Sequence, residues 1–265
     1  MVPISLLDEE WLGDKMIIML EPRRLAARNA AERMASLLDE QIGERVGYQI
    51  RMERRVSAKT KILVVTEGIL TRILQSDPAL ESVAMIIFDE FHERSLNADL
   101  SLALSLQSQE FVREDLKIMV MSATLNASAV KALLEDAPIV TGSGKTYGVK
   151  RYYLDPGEPQ PDRRSIVKKT CAAIEKSLNT DRGDILVFLP GAGEIKAAKR
   201  SVDELLGKMG IGDVLTIPLY GVLAKDDQQK AILPDRHGRR KVVLSTNIAE
   251  TSLTIEGIKV VIDSG

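Results

Sequence analysis

With 265 residues and a mass of 29.2 kDa, the chain is long enough for two modest α/β domains or one large one, with a substantial core. Its 45% hydrophobic and 28% charged residues exclude disordered, collagen-like and fibrous classes. The net charge of -2 and pI near 5.9 remove bulk charge as an argument for a nucleic-acid or anionic-membrane partner, so local clusters must carry any such role.

The chain opens on Met1-Val2-Pro3-Ile4-Ser5-Leu6-Leu7 and turns acidic at Asp8-Glu9-Glu10, without the basic stretch of a secretory signal. Short apolar runs then alternate with segments of helical period, the signature of a mostly parallel sheet covered by helices. The first strand is expected at Met16 to Leu20. After Pro22, suited to a first helical turn, Ala26, Ala30, Met34, Leu37 and Leu38 form one helical stripe, and Arg24, Arg28 and Glu32 another. Further strands are expected at Ile62 to Val65, Ala84 to Phe88 and Lys117 to Met121. The longest apolar run, Val83 to Phe88, falls far short of the ~18 residues that cross a bilayer.

Between Val140 and Arg164 the periodicity lapses into Gly142-Ser143-Gly144 and Asp155-Pro156-Gly157-Glu158-Pro159. A junction is expected near residue 145, dividing the chain into 1–145 and 146–265, with a strand at Tyr147 to Leu154 opening the second part. Val167, Cys171, Ile174 and Leu178 form a helical stripe that makes Cys171 a core residue, and Ile195, Ala198, Val202 and Leu205 form another. Strands are expected at Ile185 to Leu189, Val214 to Leu219, Val242 to Ser245 and Lys259 to Ile262. One cysteine cannot form an internal disulfide, and with two histidines it cannot furnish a structural zinc cluster. A reducing cytoplasm is the expected compartment.

Three basic clusters stand out: Arg23, Arg24, Arg28 and Arg33; Arg51, Arg54 and Arg55; and Arg236, His237, Arg239, Arg240 and Lys241. Each suits a solvated face or a phosphate-binding surface. The most informative stretch is Met85-Ile86-Ile87-Phe88-Asp89-Glu90-Phe91-His92-Glu93-Arg94, an apolar strand ending in adjacent carboxylates. Ligands collect at the carboxyl ends of parallel strands. One carboxylate there can help hold Mg²⁺ and the next can orient and deprotonate a water. By itself the pattern also suits a strand followed by a solvated acidic turn, so the other motifs must decide.

Glu21-Pro22-Arg23-Arg24-Leu25-Ala26-Ala27-Arg28 and Thr66-Glu67-Gly68-Ile69-Leu70 precede the acidic pair, and Ser122-Ala123-Thr124 follows it. Phe188-Leu189-Pro190-Gly191 and Ser245-Thr246-Asn247-Ile248-Ala249-Glu250-Thr251 continue the series. The set resembles motifs Ia, Ib, II, III, IV and V, in order, of the DEAH/RHA helicases of superfamily two. The Asp-Glu-Phe-His variant with Glu93-Arg94-Ser95-Leu96 is similar to the bacterial HrpB type.

The resemblance implies a P-loop NTPase core of two RecA-like domains, each a mostly parallel sheet flanked by helices. It implies ATP and Mg²⁺ as ligands and single-stranded nucleic acid, RNA ahead of DNA, as partner. Asp89 is then the Mg²⁺ residue, Glu90 the catalytic base, and His92 the link to neighbouring motifs. Ser122 and Thr124 couple hydrolysis to strand movement, and Asp263 joins the nucleotide-binding set. Arg23, Arg24, Thr66, Gly68, Pro190, Gly191 and Thr246 grip the nucleic-acid backbone without reading bases, so binding is sequence-tolerant and salt-sensitive.

No phosphate loop of the form GxxxxGKS/T is found: Gly142-Ser143-Gly144-Lys145-Thr146 would need glycine at 139, where Ile139 stands. Gly144-Lys145-Thr146-Tyr147 resembles instead the family's linker after motif III. The expectation is therefore that the chain starts just after its phosphate loop and stops before the arginine-rich motif VI, leaving both domains incomplete. It follows that the chain alone is deficient in ATP hydrolysis. A strand is expected to be missing beside the one ending at Asp89, so stability depends on the missing segments or a protein partner. The alternative is a non-catalytic helicase remnant that binds nucleic acid.

Overall fold

The computed structural model describes the chain apart from residues 1, 124–129, 131, 132, 135, 136, 143, 145, 146, 156 and 251–254, and leaves the side chain of residue 225 undescribed. It divides into two compact units, Met1–Gly144 and Lys145–Gly265.

The first unit starts with a helical turn, α1 (Val2–Ser5), and is built on a sheet of order β3-β2-β4-β1-β5-β6. The strands are β1 (Met16–Glu21), β2 (Val46–Ile50), β3 (Glu53–Arg55), β4 (Ile62–Thr66), β5 (Val83–Phe88) and β6 (Lys117–Val120). All neighbours pair in parallel except β2 and β3, which form a hairpin. Alternate residues of each buried strand serve opposite faces, which is why the strands read as unbroken apolar runs. Ile17, Met19, Ile62, Val64, Met85 and Ile87 pack with Ala27, Ala31, Met34 and Ala35 of α2 (Arg24–Leu37). Ile18, Leu20, Leu63, Val65, Ile86 and Phe88 pack with Leu70 and Leu74 of α3 (Glu67–Ser76) and Ala98 and Leu102 of α4 (Leu96–Phe111).

Three expectations are corrected here. The buried stripe of α2 runs through alanines 27, 31 and 35, whose small side chains let the helix lie close to the sheet, while Leu37 is 50% exposed. The hairpin β2–β3 is missing from the sequence reading because Gly47 and Gln49 break the apolar run. A Cβ on Gly47 would stand 2.5 Å from the Arg55 carbonyl, so only glycine fits that crossing. No gap lies beside β5, which pairs with β1 on one side and β6 on the other; among the described residues β3 and β6 are the edge strands.

The second unit has an all-parallel sheet of order β10-β7-β9-β8, formed by β7 (Asp184–Phe188), β8 (Val214–Leu219), β9 (Arg240–Ser245) and β10 (Ile258–Asp263). Helices α5 (Ile166–Thr180) and α6 (Ala192–Met209) share a cluster with Ile185, Val187, Val242 and Leu244. On the other face Ala231 of α7 (Lys225–Ile232) packs with Leu186, Leu219 and Val243. Cys171 is half-buried against the first cluster, and burial pushes its thiol pKa up. Leu206, rather than Leu205, completes the inner stripe of α6.

Tyr147 to Leu154 forms no strand among the described residues: Tyr147, Tyr152 and Tyr153 are each at least 80% exposed. Its aromatic and β-branched residues have strand propensity, but that propensity is realised only against a paired neighbour. The third basic cluster is divided by folding: Arg236, His237 and Arg239 stay exposed, while Arg240 and Lys241 are drawn into the fold. Arg240 donates to the Gly183 carbonyl, Arg239 pairs with Asp235, and Lys241 is completely buried. No helix among the described residues is long and apolar enough to cross a membrane.

Candidate functional site

Strand register brings the sequence-predicted residues of the first unit to one edge. Glu21 pairs with Thr66, Leu20 with Phe88 and Phe88 with Val120, so β1, β4, β5 and β6 end level at their carboxyl termini. Past those ends the ladder continues: the Asp89 amide donates to the Leu20 carbonyl at 3.0 Å, and Met121 to Phe88 at 2.8 Å.

Local contacts fix the loop after β5. Asp89 Oδ1 accepts the Glu90 amide at 2.8 Å, and Phe91, which opens a 3₁₀ turn ending at Glu93, donates its amide to Met121 at 3.1 Å. The buried Phe91 ring meets Phe88 edge-on at 6.3 Å, and the Arg94 guanidinium covers its other side at 5.5 Å. Arg94 in turn pairs with Asp99, in the first turn of α4, and Ser95 caps that helix by accepting the Ala98 amide at 3.0 Å. Glu90 has φ 50°, a left-handed conformation that strains a side-chain-bearing residue and persists only where the surroundings over-determine it.

The carboxylates at this edge crowd one another. Glu21, 5% exposed at the end of β1, is pushed up to about 8, by burial first and then by the charges of Asp89 and Glu90. Burial also raises Asp89, against the opposing Glu90 amide, and raises Glu90, helped by Asp89. The His92 Nδ1 stands 3.4 Å from Glu90 Oε2, close enough to steer that carboxylate without a hydrogen bond.

Clustered oxygen donors that repel one another suit a hard cation. No group of three or more metal-ligating side chains forms a cage by itself among the described residues. Mg²⁺ is commonly held by one or two carboxylates plus waters and substrate phosphates, and the acidic loop offers Asp89 beside Glu90. The donor set therefore fits Mg²⁺.

Glu21 also makes the fold pH-dependent. Its folded pKa of about 8 lies above the usual 4.5, so the neutral carboxyl's contribution to stability is complete below pH 4.5 and is lost as pH rises through 8. In metal-free buffer, Glu21→Gln is expected to flatten the decline in unfolding free energy between about pH 5 and 9. The wild-type loss is on the order of 2 kcal/mol once the proton shared with Asp89 is allowed for. Chemical denaturation across that range measures it, and parallel wild-type and variant curves would refute it.

Of the remaining residues in the first unit, Arg23 occupies the N-cap of α2 and pairs with Glu93, whereas Arg24 is exposed in the first helical turn. Thr66 is the N-cap of α3, and Gly68, exposed in its first turn, has open space where a side chain would be. Ser122 is half-buried just beyond β6, and Thr124 lies outside the described residues. In the second unit Pro190 and Gly191 join β7 to α6, Thr246 follows β9, and the exposed Asp263 ends β10 and accepts the Gly265 amide at 3.1 Å. These too lie at the carboxyl edge of their sheet.

Sequence reasoning did not single out Glu21 or Glu93 as site residues. The signal for Glu21 was an acid ending an apolar strand, the same signal that marked Asp89.

A family model described as DEAD/DEAH box helicase matches residues 2–133, and one described as Helicase conserved C-terminal domain matches residues 165–265. The chain is 49% identical over 262 residues to the ATP-dependent RNA helicase HrpB of Escherichia coli, covering 99% of this chain and 31% of that protein. The chain belongs to the DEAH/RHA helicases of the HrpB type. The ATP-dependent RNA helicase HrpA of Borreliella burgdorferi is 40% identical over 245 residues, covering 92% of this chain and 29% of that protein. The crystal structure of the E. coli DEAH/RHA helicase HrpB superposes with a TM-score of 0.88 at 48% identity, covering 98% of this chain and 32% of the other. A second crystal structure, of the E. coli DExH-box NTPase HrpB, has a TM-score of 0.75 at 49% identity, covering 94% and 30%. The chain thus spans about a third of the length of these relatives. Its mixed α/β units, one with a mostly parallel and one with a parallel sheet, match RecA-like helicase structures.

Proposed function

We propose that this chain is the two-domain core of an ATP-dependent RNA helicase, with residues 1–145 as the ATP-binding domain and 146–265 as the helicase C-terminal domain, working in a reducing cytoplasm. The observation that carries the reading is the strained acidic loop after β5, held level with the ends of β1, β4 and β6 and rich in repelling carboxylates. Asp89 would help hold Mg²⁺, which supplies charge neutralisation at the phosphates. Glu90 orients and deprotonates the attacking water, and His92 steers Glu90. Ser122 and Thr124 couple the step to nucleic-acid movement, and Asp263 belongs to the nucleotide-binding set.

Arg23, Arg24, Thr66, Gly68, Pro190, Gly191 and Thr246 hold the nucleic-acid backbone. The helix starts beside Thr66 and Gly191 support this, because their unpaired amides and positive dipole ends attract phosphate. RNA is favoured over DNA by the names of the relatives. Because the 265 residues carry no GxxxxGKS/T pattern, hydrolysis by this chain alone is slow. The same observation favours a second reading, a nucleic-acid-binding module without turnover.

The test pairs RNA affinity across a salt series with phosphate release in the presence and absence of RNA. Affinity for a labelled oligouridine should fall linearly on a log–log salt plot, and Arg24→Gln should make the slope shallower by about 0.7. Turnover dependent on Glu90 establishes the enzyme, salt-sensitive binding without turnover favours the module, and absence of both turnover and binding overturns the assignment.

A further inference from the structure

The loop that carries Asp89 and Glu90 also reaches the residue assigned to the nucleic-acid backbone. Arg23 Nε donates to Glu93 Oε2 at 3.2 Å, and the two side chains are only 25% and 16% exposed. The partners are 70 residues apart in sequence, one at the N-cap of α2 and the other closing the 3₁₀ turn that begins after Glu90. The Glu93 amide bonds back to the Glu90 carbonyl at 2.9 Å, and His92 lies between them in the chain. Glu93 is thus a rigid part of the acidic loop rather than a loose surface acid.

A carboxylate and a phosphodiester present the same chemistry to a guanidinium: paired anionic oxygens that accept charge-assisted hydrogen bonds. Glu93 stands near enough to Glu21, Glu67 and Glu90 for its charge to disfavour their ionised forms. Its bond to Arg23 offsets part of that repulsion, so drawing Arg23 away changes the balance of charge on the turn.

We propose that Glu93 is an internal stand-in for a nucleic-acid phosphate, holding Arg23 until a backbone phosphate replaces it and so transmitting nucleic-acid binding to the turn that carries Glu90 and His92. The inference rests on the reading of Arg23 as a backbone contact. It makes Glu93 a positioning residue, acting through Arg23 rather than on the reacting atoms.

A double-mutant cycle on the full chain tests it, with fluorescein-labelled oligouridine as the probe and anisotropy as the readout. Glu93→Gln is expected to tighten binding about 5-fold by removing the competing carboxylate, and Arg23→Gln to weaken it. In the Arg23→Gln background, Glu93→Gln should change affinity less than about 2-fold. Glu93→Asp, one methylene too short for the pair, should also tighten binding and serves if the glutamine variant unfolds. Amide exchange at residues 90–94 should quicken when RNA binds the wild type, and should already be fast in Glu93→Gln without RNA.

An equal gain from Glu93→Gln in both backgrounds would reduce the effect to general charge and overturn the proposal. So would binding that depends on Arg23 but gains nothing when Glu93 is changed. Binding indifferent to Arg23→Gln overturns the reading of Arg23 itself, and the proposal with it.

Discussion

Replacing Glu90 by glutamine is expected to lower phosphate release by roughly 10²- to 10⁴-fold, the usual contribution of a positioned general base. The substitution keeps the size and one oxygen of the side chain but removes the carboxylate proposed to take the proton. Burial and Asp89 both raise the Glu90 pKa, making it a stronger proton acceptor than a solvated glutamate. His92 Nδ1 stands 3.4 Å from its Oε2. Single-turnover release, with the chain in excess over labelled ATP, detects even slow hydrolysis. Oligouridine affinity should change little, because Glu90 is not among the residues proposed to hold the nucleic-acid backbone. Equal rates in the two proteins would remove Glu90 from the chemistry, whatever the family likeness.

The largest effect on stability is expected at Lys241. Its side chain is fully buried, and Nζ donates to the Ala231 carbonyl at 3.0 Å and the Leu233 carbonyl at 2.7 Å, with Asp184 Oδ2 at 3.7 Å. It thereby ties the end of α7 to β9 and β7. Lys241→Ala strands two carbonyls and a carboxylate without their cation, which typically costs about 3–5 kcal/mol.

The second unit has its own core, so its unfolding should move down by roughly 10 °C or more while the first unit's is unchanged. Arg239→Ala, which breaks only an exposed pair with Asp235, should leave both transitions in place. Calorimetry resolves the two cases. A Lys241→Ala protein as stable as the wild type would mean that the buried ammonium contributes nothing net.

Much of the architecture was legible in the sequence for a specific reason. Parallel strands are buried on both faces, so β1, β4, β5 and β7 appear as apolar blocks that no solvent-facing residue interrupts. The hairpin β2–β3 escaped because it lies toward the edge of the sheet and is stitched by polar contacts: Arg28 and the Tyr48 hydroxyl both bond to Glu53. Those partners come from a helix and two strands, and no local period announces them. Tyr147 to Leu154 shows the opposite failure, a segment with strand-like composition that has no ladder to join.

The acidic pair, its place after a buried strand and the order of the motifs around it belong to the sequence alone, since chain order and apolar periodicity are local properties. Tertiary structure decided which charges meet. It set Glu21 beside Asp89, gave Arg23 to Glu93 and buried Lys241 where a basic surface cluster had been expected. Each of these pairings depends on strand order and register, which bring together residues tens of positions apart, and on the low-dielectric surroundings that make an unpaired charge costly.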